Sequence, residues 1–206
     1  MNIAFSNLKG GCGSTTLVLL MAHYLASLNK TVYLIDLTHE RSLEMLHQKS
    51  LLLEEKLPFE FFSSDLSRAL LLINRLSKGD VVLLFDLPKL SEDQHYLRIF
   101  TQINTFIIPF TYGTLGISAA VRYALIASKL AKHANTIFLP NGQGENITGE
   151  HSASAQELLR KLGKLSAPLS FHLGLQSLES LSIPAQILFD FWAPLGLLSD
   201  QYLQVN

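Results

Sequence analysis

Short apolar runs alternate with longer amphipathic segments along the chain. Asn2–Ser6, Thr31–Asp36, Val81–Asp86, Thr105–Pro109 and Thr136–Leu139 are the clearest runs, and two of them end in a carboxylate. Near-continuous apolar runs of this length read as strands covered on both faces. Between them, Leu17, Leu20, Met21, Tyr24, Leu25 and Leu28 recur at helical spacing. Further helices are predicted over Ser42–Glu55, Ser67–Ser77, Ser118–Lys132 and Gln156–Leu165, and Ser91 with Gln94 predicts a capping box for a helix to about Gln102. Ala69, Leu70, Ile73 and Leu76 form one buried face, and Ala119, Ala120, Tyr123, Ala124 and Ala127 permit close packing on another. Leu57–Phe62 reads as a short extended piece, Pro168–Phe171 as a last strand, and Thr111–Gly116 and Gly142–Ser154 as loops. The Leu188–Trp192 run reads as core or interface.

Strands that alternate with helices predict an α/β fold with a doubly wound, mostly parallel sheet. No linker, repeat or low-complexity stretch divides the sequence, so residues 1–206 are expected to form a single domain. Ligands on such sheets sit beyond the C-terminal strand ends. The glycine-rich segment after the first strand, Asp36, Asp86, Pro109 and Asn141 all fall at such ends.

Composition narrows the picture. The net charge of −1 offers no strongly basic field for non-specific nucleic-acid binding. The single cysteine, Cys12, excludes an internal disulfide framework and points to a reducing, cytoplasmic setting. The start has no signal-peptide pattern, no apolar run is long enough for a membrane span, and the seven histidines show no metal-ligand spacing.

The candidate chemistry lies in Lys9-Gly10-Gly11-Cys12-Gly13-Ser14-Thr15-Thr16. A strand, a glycine-rich turn and a helix start bring backbone N–H groups together at a helix N-terminus, which suits a phosphate. The phosphate-loop pattern G-x-x-x-x-G-K-[ST] puts a lysine at position 14. This chain has Ser14. Cys12 fills a position that tolerates small residues, and its placement near a helix start is weak ground for a redox role.

The loop resembles the deviant Walker A motif K-G-G-x-G-K-T-T of the ParA/MinD family of P-loop ATPases. Tyr33-Leu34-Ile35-Asp36-Leu37-Thr38 is similar to the family's strand ending in D-x-D-P. Val81–Asp86 with Leu87-Pro88 is similar to its Walker B strand, and Phe106-Ile107-Ile108-Pro109 to its v-I-I-P strand. Gly116–Ala120 is similar to the helix start of short plasmid-partition ATPases.

The resemblance implies a P-loop NTPase fold and binding of ATP or ADP with Mg²⁺. The backbone of Gly10, Gly11, Cys12, Gly13, Ser14, Thr15 and Thr16 would cradle phosphates. Thr15 and Asp86 would hold Mg²⁺, with Asp36 supporting the same site. Lys9 would act as the signature lysine, reaching a phosphate across a nucleotide-sandwich homodimer, and Asn141 is a candidate for adenine. An adaptor of the ParB type and non-specific DNA are the partners the family implies.

Two departures fall on the chemistry. Ser14 replaces the lysine of the β/γ-phosphates, and Thr38 replaces the second aspartate of D-x-D, which helps activate water. Phosphoryl transfer rests on positioning and charge neutralisation, so the pair predicts weak or absent hydrolysis. His39 and Glu40 are neighbours that could substitute. The expected function is partitioning or positioning through dimerisation and partner binding. An active ATPase using Lys9 and a nucleotide-free interaction module are the alternatives.

Overall fold

The computed structural model describes residues 1–76, 79–143, 150–170 and 172–203, with the backbone alone at 143 and 150–152. Its strands are β1 (Asn2–Phe5), β2 (Thr31–Asp36), β3 (Glu60–Ser63), β4 (Val81–Asp86), β5 (Thr105–Phe110), β6 (Asn135–Gln143), β7 (Lys164–Leu165) and β8 (Leu169–Ser170). They form one sheet in the order β3-β2-β4-β1-β5-β6-β7, and β8 pairs with β6. Every described pairing is parallel.

The helices are α1 (Ser14–Ser27), α2 (Ser42–Leu52), α3 (Leu66–Leu76), α4 (Gln94–Phe100), α5 (Thr114–Leu130), α6 (Glu150–Leu162) and α7 (Ala185–Leu198). Alternate residues of each strand feed two separate cores. One joins Ile3, Phe5, Leu34 and Leu84 to α1 and α7. The other joins Ala4, Ile35, Phe85 and Phe106 to α3, α4 and α5. Helices on both faces explain the continuous apolar runs, since neither strand face meets water.

Burial on α1 is wider than a single stripe. Val18, Leu19 and Ala22 are as buried as Leu17 and Leu20, because α7 packs over the side of α1 turned away from the sheet. Leu28, placed on the apolar stripe by spacing alone, is exposed.

Several boundaries differ from those expected. The cap of α4 is Asp93, whose carboxylate accepts from the N–H groups of His95 and Tyr96 at 2.6 and 3.2 Å. Ser91 accepts from the Asp93 N–H instead, so the Ser91–Gln94 box does not form. α5 starts at Thr114, inside the expected Thr111–Gly116 loop. Gly116 acts there as a packing glycine: a Cβ would overlap the Thr111 carbonyl oxygen.

α2 stops at Leu52 rather than Glu55, and Glu54 turns the chain with φ 52°. α6 spans Glu150–Leu162, so it begins inside the expected loop and ends short of Leu165. It ends where Gly163 crosses β6, since a Cβ there would sit 2.6 Å from the Thr136 carbonyl oxygen. The expected Gly142–Ser154 loop is shortened from both sides by β6 and α6, and residues 144–149 lie outside the described residues. The last strand covers only Leu169–Ser170, and Phe171 lies outside the described residues. Among the described residues, no helix is long and apolar enough to cross a membrane.

Candidate functional site

β1 ends at Phe5 near the centre of the sheet, between β4 and β5. The chain then turns through Lys9–Gly13 into α1. Gly11 and Gly13 adopt φ of 75° and 85°, left-handed values that glycine reaches without a side-chain penalty. Gly13 is the N-cap of α1 and offers no side chain to the first turn. The first helical hydrogen bond runs from Leu17 N–H to the Gly13 carbonyl at 2.9 Å. The N–H groups of Ser14, Thr15 and Thr16 therefore precede the helical ladder, the arrangement that accepts an anion.

Two side chains hold the turn. Asn7 donates from Nδ2 to the Pro109 carbonyl at 2.7 Å, and its Oδ1 accepts from the Lys9 N–H at 3.3 Å. This ties the loop entrance to the end of β5. Asn141 donates from Nδ2 to the Cys12 carbonyl at 2.9 Å, tying the far side of the loop to β6. Asn7 carries no motif, and only its buried position reveals its role. Cys12 is 3% exposed. Burial pushes its thiol up despite the nearby Lys9 ammonium, which is the reverse of an activated thiolate.

The loop separates two cavities. A cavity of about 270 Å³ is lined by Lys9–Thr15, Thr38, Glu40, Asp86 and Lys89. It therefore brings Ser14 and Thr38 to one place. Glu40 faces it as well, whereas His39 is not among its lining residues. A second cavity of about 440 Å³ is lined by Gly11–Gly13, Thr16, Thr111, Asn141, His172, Gln176 and Phe191. Its size is that of a small-molecule pocket. Its His172, Gln176 and Phe191 come from the C-terminal part of the chain, where no motif marks them.

Asp36 and Asp86 stand side by side, as Cα partners at the ends of β2 and β4. Their surroundings differ. Asp36 Oδ1 accepts from the Thr38 N–H at 2.9 Å and from its hydroxyl at 2.7 Å, and Oδ2 accepts from the Glu44 N–H at 3.4 Å. Asp36 is thus occupied with shaping the Thr38–Glu44 segment. Asp86 is 1% exposed, and its Oδ2 has no hydrogen-bond partner. Burial raises its pKa to about 7; a hydrogen bond from Thr15 opposes this, while the charges of Asp36 and Glu40 add to it.

These residues fit a divalent cation. Asp86, a buried carboxylate with one oxygen left without a partner, and the Thr15 hydroxyl at the start of a helix line one cavity and make an oxygen donor set of the kind Mg²⁺ takes.

No family model matches the chain, and no curated protein sequence matches it. Solved structures do. A Borrelia burgdorferi B31 protein described as a plasmid partition protein, bound to AMPPNP, superposes with a TM-score of 0.70 at 14% identity, over 97% of this chain and 98% of that one. MinD in the MinC:MinD cell division complex of Aquifex aeolicus gives 0.67 at 17% identity, over 95% of each chain. The pNOB8 ParA bound to nonspecific DNA gives 0.65 at 16% identity, over 93% of this chain and 91% of that one. Together with the parallel sheet and the loop between β1 and α1, these likenesses show that the chain has the α/β fold of the ParA/MinD P-loop ATPases.

Proposed function

We propose that the chain is a partitioning or positioning protein of the ParA/MinD type that binds adenine nucleotide with Mg²⁺ and hydrolyses it weakly or not at all. The observation that carries this reading is the placement of Asp86: it lines the cavity formed by the glycine loop and keeps one carboxylate oxygen, Oδ2, without a hydrogen-bond partner. The backbone of Gly10–Thr16 would hold phosphate groups, and the larger cavity beside Asn141 and Phe191 would take the nucleoside. Thr15 and Asp86 would hold Mg²⁺, which when bound neutralises charge between phosphate oxygens.

Ser14 brings no charge to this cavity, and Thr38 turns its hydroxyl to Asp36. Neither can neutralise the γ-phosphate or orient water, so binding survives where turnover does not. Nucleotide would then act as an assembly signal. The output would be a homodimer that recruits an adaptor, as the Aquifex MinD is found with MinC. Non-specific DNA, bound by the pNOB8 ParA, is a weaker expectation for a chain of net charge −1. Lys9 is exposed on the loop and lines the cavity, which favours a second reading as a slow, active ATPase using that ammonium.

Thermal unfolding with and without Mg-ATP, followed by a phosphate-release assay, tests the proposal. Ligand at about a hundred times Kd adds ~2.7 kcal/mol to the folded state. A melting temperature indifferent to millimolar Mg-ATP overturns nucleotide binding and leaves an interaction module. Turnover that Lys9→Ala abolishes establishes the second reading.

A further inference from the structure

Lys89 lies in the segment after β4, three residues beyond Asp86. Leu87 and Pro88 between them are buried, so the lysine stem leaves from a fixed anchor. From there the side chain extends over the glycine loop. A Cβ built on Gly10 would sit 3.5 Å from Lys89 Nζ and 3.8 Å from its Cε. The ammonium therefore rests against the loop backbone, on the wall of the cavity that also holds Ser14, Thr15 and Asp86. Among the described residues, Lys89 makes no ion pair.

The cavity lining thus suits an anion and a cation together. Its lining brings together a run of N–H groups at a helix start, an ammonium against Gly10 that makes no ion pair among the described residues, and Asp86 with its partnerless Oδ2. A phosphate bridged to a divalent cation satisfies all three. The geometry points to Lys89 as the cation that contacts the β- or γ-phosphate of the bound nucleotide, in place of the lysine missing at position 14. Lysine serves phosphate as a mobile point charge, so its stem need not start from the loop itself. Lys9 lines the same cavity from the loop entrance, where Asn7 accepts its backbone N–H, so the Lys9→Ala variant separates its contribution from that of Lys89.

This inference rests on the nucleotide reading above, and one experiment separates the two. Calorimetric titrations of the full chain with Mg-ADP, Mg-ATP, pyrophosphate and adenosine are run for the wild type, Lys89→Ala, Lys89→Arg, Lys9→Ala and Lys89→Ala with Ser14→Lys. Lys89→Ala is expected to weaken Mg-ADP, Mg-ATP and pyrophosphate about tenfold or more and to leave adenosine unchanged. Lys89→Arg should retain most of the affinity, and Ser14→Lys should restore it in the Lys89→Ala background. Since Lys89 is exposed, the unliganded melting temperature should not move.

Mg-ADP affinity within roughly twofold of wild type in Lys89→Ala overturns the assignment while the nucleotide reading stands. An equal loss for adenosine overturns it too, because a phosphate contact cannot weaken a ligand without phosphate. A wild-type chain that binds none of the four ligands overturns both.

Discussion

Asp36 and Asp86 are register partners on adjacent parallel strands, yet only one has its carboxylate satisfied. Thr38 and Glu44 supply hydrogen bonds to both oxygens of Asp36, whereas Asp86 keeps Oδ2 bare. One aspartate shapes the segment after β2, and the other lies buried at the cavity lining with an oxygen unpartnered.

That asymmetry predicts a pH dependence. Asp86 titrates near 7 in the folded chain, against 3.8 in the unfolded chain. Between those values the folded chain holds a proton that the unfolded chain has released. Stability of the unliganded protein should therefore fall as pH rises from about 4 to about 7 through this group. Asp86→Asn should raise the melting temperature at pH 8 by ~3 °C or more and flatten that part of the profile. It should also remove any dependence of nucleotide binding on Mg²⁺. Melting curves from pH 4 to 8, with and without Mg²⁺, check both.

Gly11 and Gly13 share a left-handed backbone but differ in surroundings. A Cβ on Gly11 meets open space, while one on Gly13 would overlap the Asn141 amide. Gly11→Ala should cost about 1 kcal/mol from backbone strain alone. Gly13→Ala should cost about 2–4 kcal/mol and displace Asn141 from Cys12. Denaturant unfolding of the two variants measures the difference, and equal losses would contradict it.

Asn141 borders the larger cavity and braces the loop through Cys12. Asn141→Ala should weaken adenine nucleotides by roughly 1–2 kcal/mol while changing pyrophosphate affinity less. Parallel titrations with Mg-ADP and pyrophosphate give the comparison. An equal loss for both would make Asn141 a brace of the loop alone.

Ser14→Lys returns the charge that the loop pattern calls for. It should tighten Mg-ATP about tenfold without much turnover, since Thr38 still has no carboxylate to orient water. Adding Thr38→Asp should raise phosphate release above both single variants. The second change will lower stability, because it puts a carboxylate against Asp36 where a hydroxyl now donates at 2.7 Å.

The architecture was legible because burial on both sheet faces leaves a mark in the sequence. Thr31–Asp36 and Val81–Asp86 were located to the residue, as strands flanked by helices on both sides read as unbroken apolar runs. Helix ends were less legible. Gly116 reads as a turn residue, yet it serves a close backbone approach inside α5, and nothing local separates the two uses. The cap at Asp93 lost to Ser91 in the sequence because both are good cap residues and only the backbone path decides between them.

Sequence alone was enough to place the loop, Asp36 and Asp86 at strand ends and Thr15 at the start of a helix. These are properties of local order along the chain. The fold alone decided that Thr38 shares a wall with Ser14, that Asp36 is satisfied while Asp86 is not, and that α1 is buried all round by α7. Lys89 over Gly10, and His172, Gln176 and Phe191 beside Asn141, are likewise tertiary facts. Each joins residues far apart in the chain, and parallel strands connected by crossovers leave no periodic trace of which distant side chains will meet at their ends.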